Sequence, residues 1–326
     1  MSGGRKVAVV TGATGFIGRR LCARLKEGDW RVIAVGRRTA EGPWEQFVEH
    51  EFGAGQPLVL PGQPEVVFHL ASRVHALADT STQNEAYFRV NAGGMEELLR
   101  ALGTEAETRV VLTSSVKAHG EETGPEGVEE ADVSAPTTAY GQSKAAAERL
   151  LLESPLGARA VVLRLAMVFG PGNKGNLAEM IAAIAKNRFP PIPDNGNRRS
   201  MVHVDDVVDA LISAASSPTA GGRMFYVAGP RTWSSRDLYV AILTALGRSV
   251  PRWHVPLSAL RILAGAGDVI GTLRGRRFVW DSDKFGKLFS SAHYRGDLAA
   301  RVFGFRARRD LQDALPGMIE EALGSA

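Results

Sequence analysis

Tyr140 and Lys144 stand four residues apart in the run Ala139-Tyr140-Gly141-Gln142-Ser143-Lys144. On a helix that spacing puts both side chains on one face, one turn apart. A free phenol titrates near ~10, too high for easy proton exchange at neutral pH. An ammonium held close favours the phenolate and brings that value down. The pair is therefore an acid/base unit wherever a substrate can reach the phenol. A surface Tyr lying on a Lys stem has the same spacing. What the rest of the chain builds around the pair decides between the two.

The first positioning element is at the N-terminus. Lys6 to Val10 is a Val-rich apolar run that reads as a buried strand. It enters the segment T-G-A-T-G-F-I-G at residues 11 to 18, and a helical pattern follows from Arg19 to Glu27. Strand, glycine turn and helix make a phosphate-binding unit. Gly12 permits the tight turn, Gly15 lets the backbone approach a pyrophosphate, and Gly18 lets the helix pack closely on the strand. The helix N-terminus then offers free N–H groups and a positive dipole end to the anion. Trp30 to Val35 reads as the second strand, followed by Gly36-Arg37-Arg38. A site for NAD usually carries Asp or Glu here, about 20 residues beyond the glycines, to accept from the ribose 2′-hydroxyl. Guanidinium groups instead bind a 2′-phosphate through charge-assisted bonds. Arg37 and Arg38 thus favour NADP(H), with NAD(H) as the alternative if the pair is only an exposed basic loop.

Further strands are expected at Val66 to Leu70, Arg109 to Ser114 and Ala160 to Leu165, and helices at Glu85 to Leu102 and Tyr140 to Glu153. A third strand is expected near Val48 to Gly53. Repeated βα units imply an α/β fold: a Rossmann-type doubly wound parallel sheet with helices on both faces. Ligands of such sheets sit at the strand C-terminal ends, where Gly12, Ala71, Ser115 and Arg164 fall. The βα rhythm stops after Gly170-Pro171-Gly172, and Met224 to Val227 reads as one more strand returning to the sheet. The expected organisation is a dinucleotide-binding domain of residues 1–168 plus about 207–229, interleaved with a smaller C-terminal substrate lobe of 169–206 plus 230–326. Hydrophobic residues at 44% and charged residues at 23% fit a globular chain of 326 residues with a large core. A net charge of +4 is dispersed, and no Lys/Arg block is long enough for a nucleic-acid arm. The local clusters Arg198-Arg199 and Arg274 to Arg277 are expected to meet a phosphorylated small molecule or solvent. Cys22 is the only cysteine, so no intrachain disulfide forms, and no clustered His, Asp and Glu set points to a metal. No apolar signal core precedes the first strand, which implies a cytoplasmic protein. Pro256 to Leu273 is apolar but interrupted by Arg261 and Asp268, so it is expected to pack as a helix rather than span a membrane.

Together the segments 11 to 18, H-L-A-S at 69 to 72, Asn91, S-S-V-K-A-H-G at 114 to 120, Y-G-Q-S-K at 140 to 144 and R-L-A-M-V-F-G-P-G at 164 to 172 resemble the extended short-chain dehydrogenase/reductase family. More narrowly they resemble the nucleotide-sugar branch of its NAD-dependent epimerase/dehydratase members. His69 to His75, Ser114 to Lys117, Lys174-Gly175-Asn176 and Asn197 to Ser200 look like a subgroup related to UDP-glucose 4-epimerase. That subgroup includes 4-ketoreductases that make UDP-N-acetyl-quinovosamine or UDP-N-acetyl-fucosamine. The resemblance implies a catalytic set of Ser115, Tyr140 and Lys144. It implies cofactor contacts from Gly12, Thr14, Gly15, Phe16, Ile17, Gly18, Arg37, Arg38, Leu70, Ala71, Asn91, Tyr140 and Lys144. It implies substrate contacts from Arg73, Ser115, Lys117, Asn176 and Arg199, the last two on the nucleotide diphosphate. Asn176 also has a rival role as a helix N-cap before Leu177. His203 reads as a core histidine. A homodimer through the helices at 85–102 and 140–153 is implied, with a monomer as the alternative.

Dehydratases of the family carry an acidic pair just after the position of Ser115. Val116 and Lys117 stand there and do not supply the donor and base that water elimination needs. The third-strand region lacks the Asp that often holds adenine, and Leu165 replaces a common Pro. The expected activity is NADPH-dependent 4-ketoreduction of a UDP-linked 4-keto-6-deoxy-N-acetylhexosamine, as in surface-polysaccharide precursor synthesis. The alternative is a UDP-hexose 4-epimerase with retained NAD. A non-catalytic NADP(H)-sensing protein is a third reading, disfavoured because such proteins lose the Tyr or the Lys.

Overall fold

The computed structural model describes residues 5–74, 81–274 and 280–324, except for the side chains of residues 81–83, 273 and 274. The apolar runs form strands at the expected places: β1 Val7–Thr11, β2 Arg31–Gly36, β3 Gln46–Glu49, β4 Val66–His69, β5 Arg109–Ser115 and β6 Val161–Leu165. Between them lie helices α1 Phe16–Glu27, α2 Ser81–Leu102 and α3 Ala139–Leu152. The chain continues through β7 Met167–Phe169, α4 Asn176–Ala185, β8 Arg199–His203, α5 Val204–Ser216, β9 Arg223–Val227 and β10 Thr232–Trp233. Helices α6 Ser235–Ala245, α7 Leu257–Arg274, α8 Ser282–Phe289, α9 Asp297–Phe303 and α10 Leu311–Gly324 complete it.

Seven strands form one parallel sheet in the order β3-β2-β1-β4-β5-β6-β9. This is the doubly wound α/β fold expected, including the return of β9 to the main sheet. Successive strand residues alternate between two cores, which is why these strands are apolar at almost every position. Ala8, Val10, Val32 and Ala34 pack with Leu21, Cys22 and Leu25 of α1 and Val207, Val208 and Leu211 of α5. Val9, Ile33 and Val35 pack on the other face with Met95 and Leu98 of α2 and Ala147 and Leu151 of α3. A third core holds Ile181, Ile242, Leu311 and Leu315 from α4, α6 and α10. The small sheet β10-β8-β7 has Met201 of its central strand in that core.

Two local expectations need correction, and a third gains a role. The third strand ends at Glu49, and residues 50–53 leave the sheet because His50 and Gly53 are drawn to the Glu97 carboxylate of α2. The cap of α4 is Gly175, and Asn176 is the first helical residue. The side chain that shapes that turn is Asn173, whose Oδ1 accepts from Gly175 N at 2.8 Å. His203 is buried as expected, and it also caps α5 by accepting from Asp205 N at 3.2 Å.

Candidate active site

The strand order reverses between β1 and β4, so the helices that follow them lie on opposite faces and a crevice opens at the strand ends. Thr11 and His69 are partners in register at its floor. The Thr11 hydroxyl meets His69 Nδ1 at 2.9 Å and accepts from Leu70 N and Ala71 N at 3.1 and 3.0 Å. Gly12 has φ +66°, and a Cβ there would meet Ala71 N at 2.9 Å. A Cβ on Gly18 would strike Gly12 O at 2.3 Å. Both glycines are thus required by the turn itself. Gly15 caps α1 without a side-chain bond, and the first turn of the helix has no acidic residue. The free N–H groups and the dipole end are left for an anion. A dinucleotide pyrophosphate fits this cradle, which Thr14, Phe16 and Ile17 complete in sequence. At the end of β2, Arg37 and Arg38 are exposed. The carboxylate of Glu49 on the neighbouring strand is engaged by the amide and hydroxyl of Thr39.

Tyr140 is the second residue of α3 and Ser115 is the last residue of β5. The structure brings them together. Burial pushes the phenol up to about 12, partly offset by a hydrogen bond with the Ser115 hydroxyl. Tyr87 of α2 closes one side, its ring centroid 5.7 Å from that of Tyr140 in an edge-on contact. The start of α3 is fixed from below. Thr138 caps the helix by accepting from Gly141 N at 3.1 Å, and its hydroxyl donates to Glu121. Glu121 also accepts from the Thr137 amide and hydroxyl and from the Thr138 amide. Burial would raise this carboxylate, but the four hydrogen bonds prevail and hold it below the usual range. Gly141 lets the helix touch the turn that follows Ser115.

Lys144 is held by the backbone of β5 and by the Ser72 loop. Its ammonium donates to Thr113 O at 2.8 Å and lies 3.5 Å from Ser72 Oγ. Burial lowers it to about 8, opposed by Glu148. Burial dominates the Tyr140 phenol, with the Ser115 hydrogen bond opposing it and Tyr87 adding to it. His69 is likewise driven down to about 3, by burial first and Lys144 second, so it is neutral at the crevice floor. Asn91 is fully engaged by protein. Its Oδ1 accepts from Ser72 Oγ and Arg73 N, and its Nδ2 donates to Arg73 O and Ser143 Oγ. It pins the loop carrying Ala71, Ser72 and Arg73 to α3. Glu148 forms a buried ion pair with Arg164 at 2.7 Å and accepts from Ser114, which locks α3 to β5 and β6.

On the open side, Lys117 Nζ stands 5.9 Å from the centroid of the Tyr140 ring. The residue is exposed, but loss of water around its ammonium, then the charge of Lys287, hold its pKa below the usual value. Glu121 and Asp283 oppose this shift, and Arg199 adds to it. Arg199 Nη1 donates to Ser290 O at 2.9 Å. Lys117, Arg199 and Lys287 therefore form one cationic rim beside the phenol. Asn176 is exposed at the start of α4, and its side chain makes no hydrogen bond to the described residues. His75 and Arg276 and Arg277, singled out above, lie outside the described residues, as does the side chain of Arg274. The sequence offered no signal for Tyr87 or Lys287, which reach the site from other elements. Gly141 stood inside the quoted motif, where its role was legible only once the turn beneath it was known.

Three comparisons place this geometry among known proteins. Residues 8–229 match the family model described as NAD dependent epimerase/dehydratase family. A UDP-glucose 4-epimerase of Vibrio cholerae is 28% identical over 311 residues, 92% of this chain and 86% of that protein. An Escherichia coli O157:H7 enzyme named N-acetyl-alpha-D-glucosaminyl-diphospho-ditrans,octacis-undecaprenol 4-epimerase is 23% identical over 293 residues, 88% of this chain and 86% of that protein. The solved structure of MoeE5 in complex with UDP-glucuronic acid and NAD superposes with a TM-score of 0.73 at 25% identity, covering 98% of this chain and 99% of the other.

Proposed function

Because this chain belongs to the NAD-dependent epimerase/dehydratase family, we propose that it is a nucleotide-sugar enzyme working by hydride transfer. Its reaction in this reading is NADPH-dependent reduction of a UDP-linked 4-keto-6-deoxy-N-acetylhexosamine. The observation that carries the choice of reduction is the end of β2, where the exposed Arg37 and Arg38 directly follow the strand in place of an acidic residue. A 2′-phosphate is attracted by that pair, and an exchangeable NADPH suits net reduction. UDP as the handle is supported by the relatives, one a UDP-glucose 4-epimerase and one bound to UDP-glucuronic acid.

The chain's own groups divide the work. Gly12, Gly15, Gly18 and the start of α1 hold the cofactor, whose nicotinamide supplies hydride to carbon 4. Tyr140, protonated at neutral pH because burial pushes it up to about 12, donates its proton to the carbon 4 oxygen. Ser115 hydrogen-bonds the same oxygen and orients it. Lys144 keeps positive charge one turn along the helix, where it stabilises the phenol as its proton leaves. Arg199 holds the diphosphate end, and Lys117, beside the phenol, meets the sugar and keeps the ring over the crevice.

The second reading is a UDP-hexose 4-epimerase with retained NAD, using the same Ser115, Tyr140 and Lys144. The Vibrio cholerae relative and the NAD-bound structure favour it. It differs from the first reading in opening with removal of a proton from the sugar hydroxyl by the same Tyr140. Purified protein incubated with UDP-4-keto-6-deoxy-N-acetylglucosamine and NADPH, followed by NMR of the product, separates the two. Reduction at carbon 4 with loss of NADPH is the expected result. Interconversion of UDP-hexoses by protein that already carries NAD, with no NADPH oxidation, would replace the reductase by the epimerase.

A further inference from the structure

Glu148 continues the spacing of Tyr140 and Lys144 by one more turn of α3, so all three side chains share a face. Each is met by one of the last three residues of β5. Ser115 hydrogen-bonds the Tyr140 phenol, Thr113 O accepts from the Lys144 ammonium at 2.8 Å, and the Ser114 hydroxyl donates to Glu148. Lys144 and Glu148 are 3% and 5% exposed. The carboxylate is also gripped from β6, where Arg164 Nε and Nη2 donate to it at 3.0 and 2.7 Å. In the sheet order the ammonium leans toward the β4 side, 3.5 Å from Ser72 Oγ, and the guanidinium stands on β6. The carboxylate therefore lies between two buried cations.

Holding the helix in place does not by itself call for a charge here. A buried ion pair is often worth no more to stability than apolar side chains of the same volume. The ammonium gives the charge a use. Its acceptors, Thr113 O and Ser72 Oγ, carry no net charge, and burial drives it toward the neutral amine. The group that opposes this is Glu148. Facing the same site from other elements are His69 of β4, Arg73 of the Ser72 loop, Tyr87 of α2, Lys117 of the turn after β5 and Arg164 of β6. None of them is a carboxylate. We propose that Glu148 is a positioning residue of the reaction: it acts through Lys144, keeping the ammonium charged and in place one turn from the phenol. The inference rests on the hydride-transfer reading above, in which that charge stabilises the phenol as its proton leaves.

Glu148→Gln keeps the shape of the side chain and removes its charge. In the full chain labelled with carbon-13 at the lysine Cε atoms, the Lys144 signal is followed against pH by NMR, with Lys144→Met identifying it. The parent should titrate at about 8. Glu148→Gln should bind the proton at least about tenfold more weakly. With the nucleotide sugar that the parent turns over, the alkaline limb of kcat/KM should move to lower pH by the same factor. Glu148→Asp retains the charge and should bring the limb back. Arg164→Gln leaves the carboxylate to Lys144 alone and should strengthen proton binding, and it serves where Glu148→Gln does not fold. A Lys144 titration unmoved in both variants overturns the proposal. So does activity lost equally at every pH with the limb in place, the mark of a purely structural role. A parent that shows the titration difference but turns over no UDP-sugar would uphold the link between Glu148 and Lys144 and overturn the nucleotide-sugar reading, so the two failures are told apart.

Discussion

Gly141→Ala should lower turnover although nothing chemical is removed. A Cβ at this position would stand 2.4 Å from Lys117 O, 3.0 Å from Glu121 Oε1 and 3.0 Å from Pro136 Cβ. Ordinary contact begins near 3.4 Å, so the helix or the turn must give by about 1 Å. The first obstacle is a backbone carbonyl in the turn that follows Ser115, so it cannot rotate away. Ala is the better helix former by ~1 kcal/mol, whereas overpacking costs ~1–3 kcal/mol. The clash should win, and the net effect should be destabilisation. Because Gly141 directly follows Tyr140, the displacement moves the phenol against Ser115. A shift of that size in a catalytic group costs roughly 10² in rate. Cofactor affinity should change little, since the glycine turn after β1 is untouched. Gly286→Ala is the control: it lies in α8 with nothing within 4 Å of its added Cβ, so the same substitution should stabilise. Urea unfolding and steady-state kinetics on both variants decide the matter. Full turnover and raised stability in Gly141→Ala would refute the idea that the helix start is held by this contact.

Other outcomes follow from the same site. Tyr140→Phe should lower kcat by about 10² to 10⁴ while NADPH binding by calorimetry stays near the parent value; near-normal turnover would remove the phenol from the mechanism. Arg37→Asp with Arg38→Ala should weaken NADPH far more than NADH, at about 1.5–3 kcal/mol per lost charge-assisted bond, and equal losses would show that these arginines do not read a phosphate. Arg199→Ala should raise KM for a UDP-sugar and weaken UDP itself, with less effect on kcat, because the diphosphate lies away from the reacting carbon; unchanged UDP affinity in calorimetry would dismiss the clamp. The Lys144 ammonium titrates at about 8 in the folded protein against 10.5 as its ordinary value. Activity that needs its charge should fall as pH rises through about 8, while Tyr140 remains protonated. Between 8 and 10.5 the unfolded chain binds more protons at this residue, so its contribution to stability runs the other way and grows with pH. A kcat/KM profile flat to pH 10 would show that the charge is not required.

The sheet was legible because its strands are buried on both faces. Continuous runs such as Val7 to Val10 and Val161 to Leu165 leave little choice of secondary structure, and the glycines after β1 mark where the first turn must be. Strand ends were less legible. Residues 50–53 continue the run from Val48 without a clear stop signal before Gly53, yet Glu97, far along the chain on α2, draws them out of the sheet. Ser115, Tyr140 and Lys144 were found from spacing and resemblance, and the structure brings them to one crevice. Tyr87 and Lys287 were not found, because contact between elements far apart in sequence leaves no local pattern. The cap of α4 was misplaced for a different reason. Both Asn173 and Asn176 are good turn residues, and only the backbone shows that the former is used.

The direction in which Lys144 points changes how the Tyr-Lys pair has to be understood. Spacing alone argues that the ammonium prepares a phenolate in advance. In the folded protein the ammonium is held by Thr113 O, Ser72 and the field of Glu148, while the phenol is buried and neutral. In the proposed reduction the pair acts in donation. Its charge gains in effect only as the phenol proton departs, when the field of a nearby cation in a dry crevice is felt most. The surrounding network is consistent with that use. Asn91 holds Ser143 of α3 and the Ser72 loop, and Glu148 is locked between Arg164 and Ser114, so neither helix nor loop is free to bring the ammonium onto the phenol oxygen beforehand. A site that must begin by taking a proton from a hydroxyl gains from a prepared phenolate. In the reduction we propose, the phenol gives its proton to a ketone, a step that needs no phenolate prepared in advance.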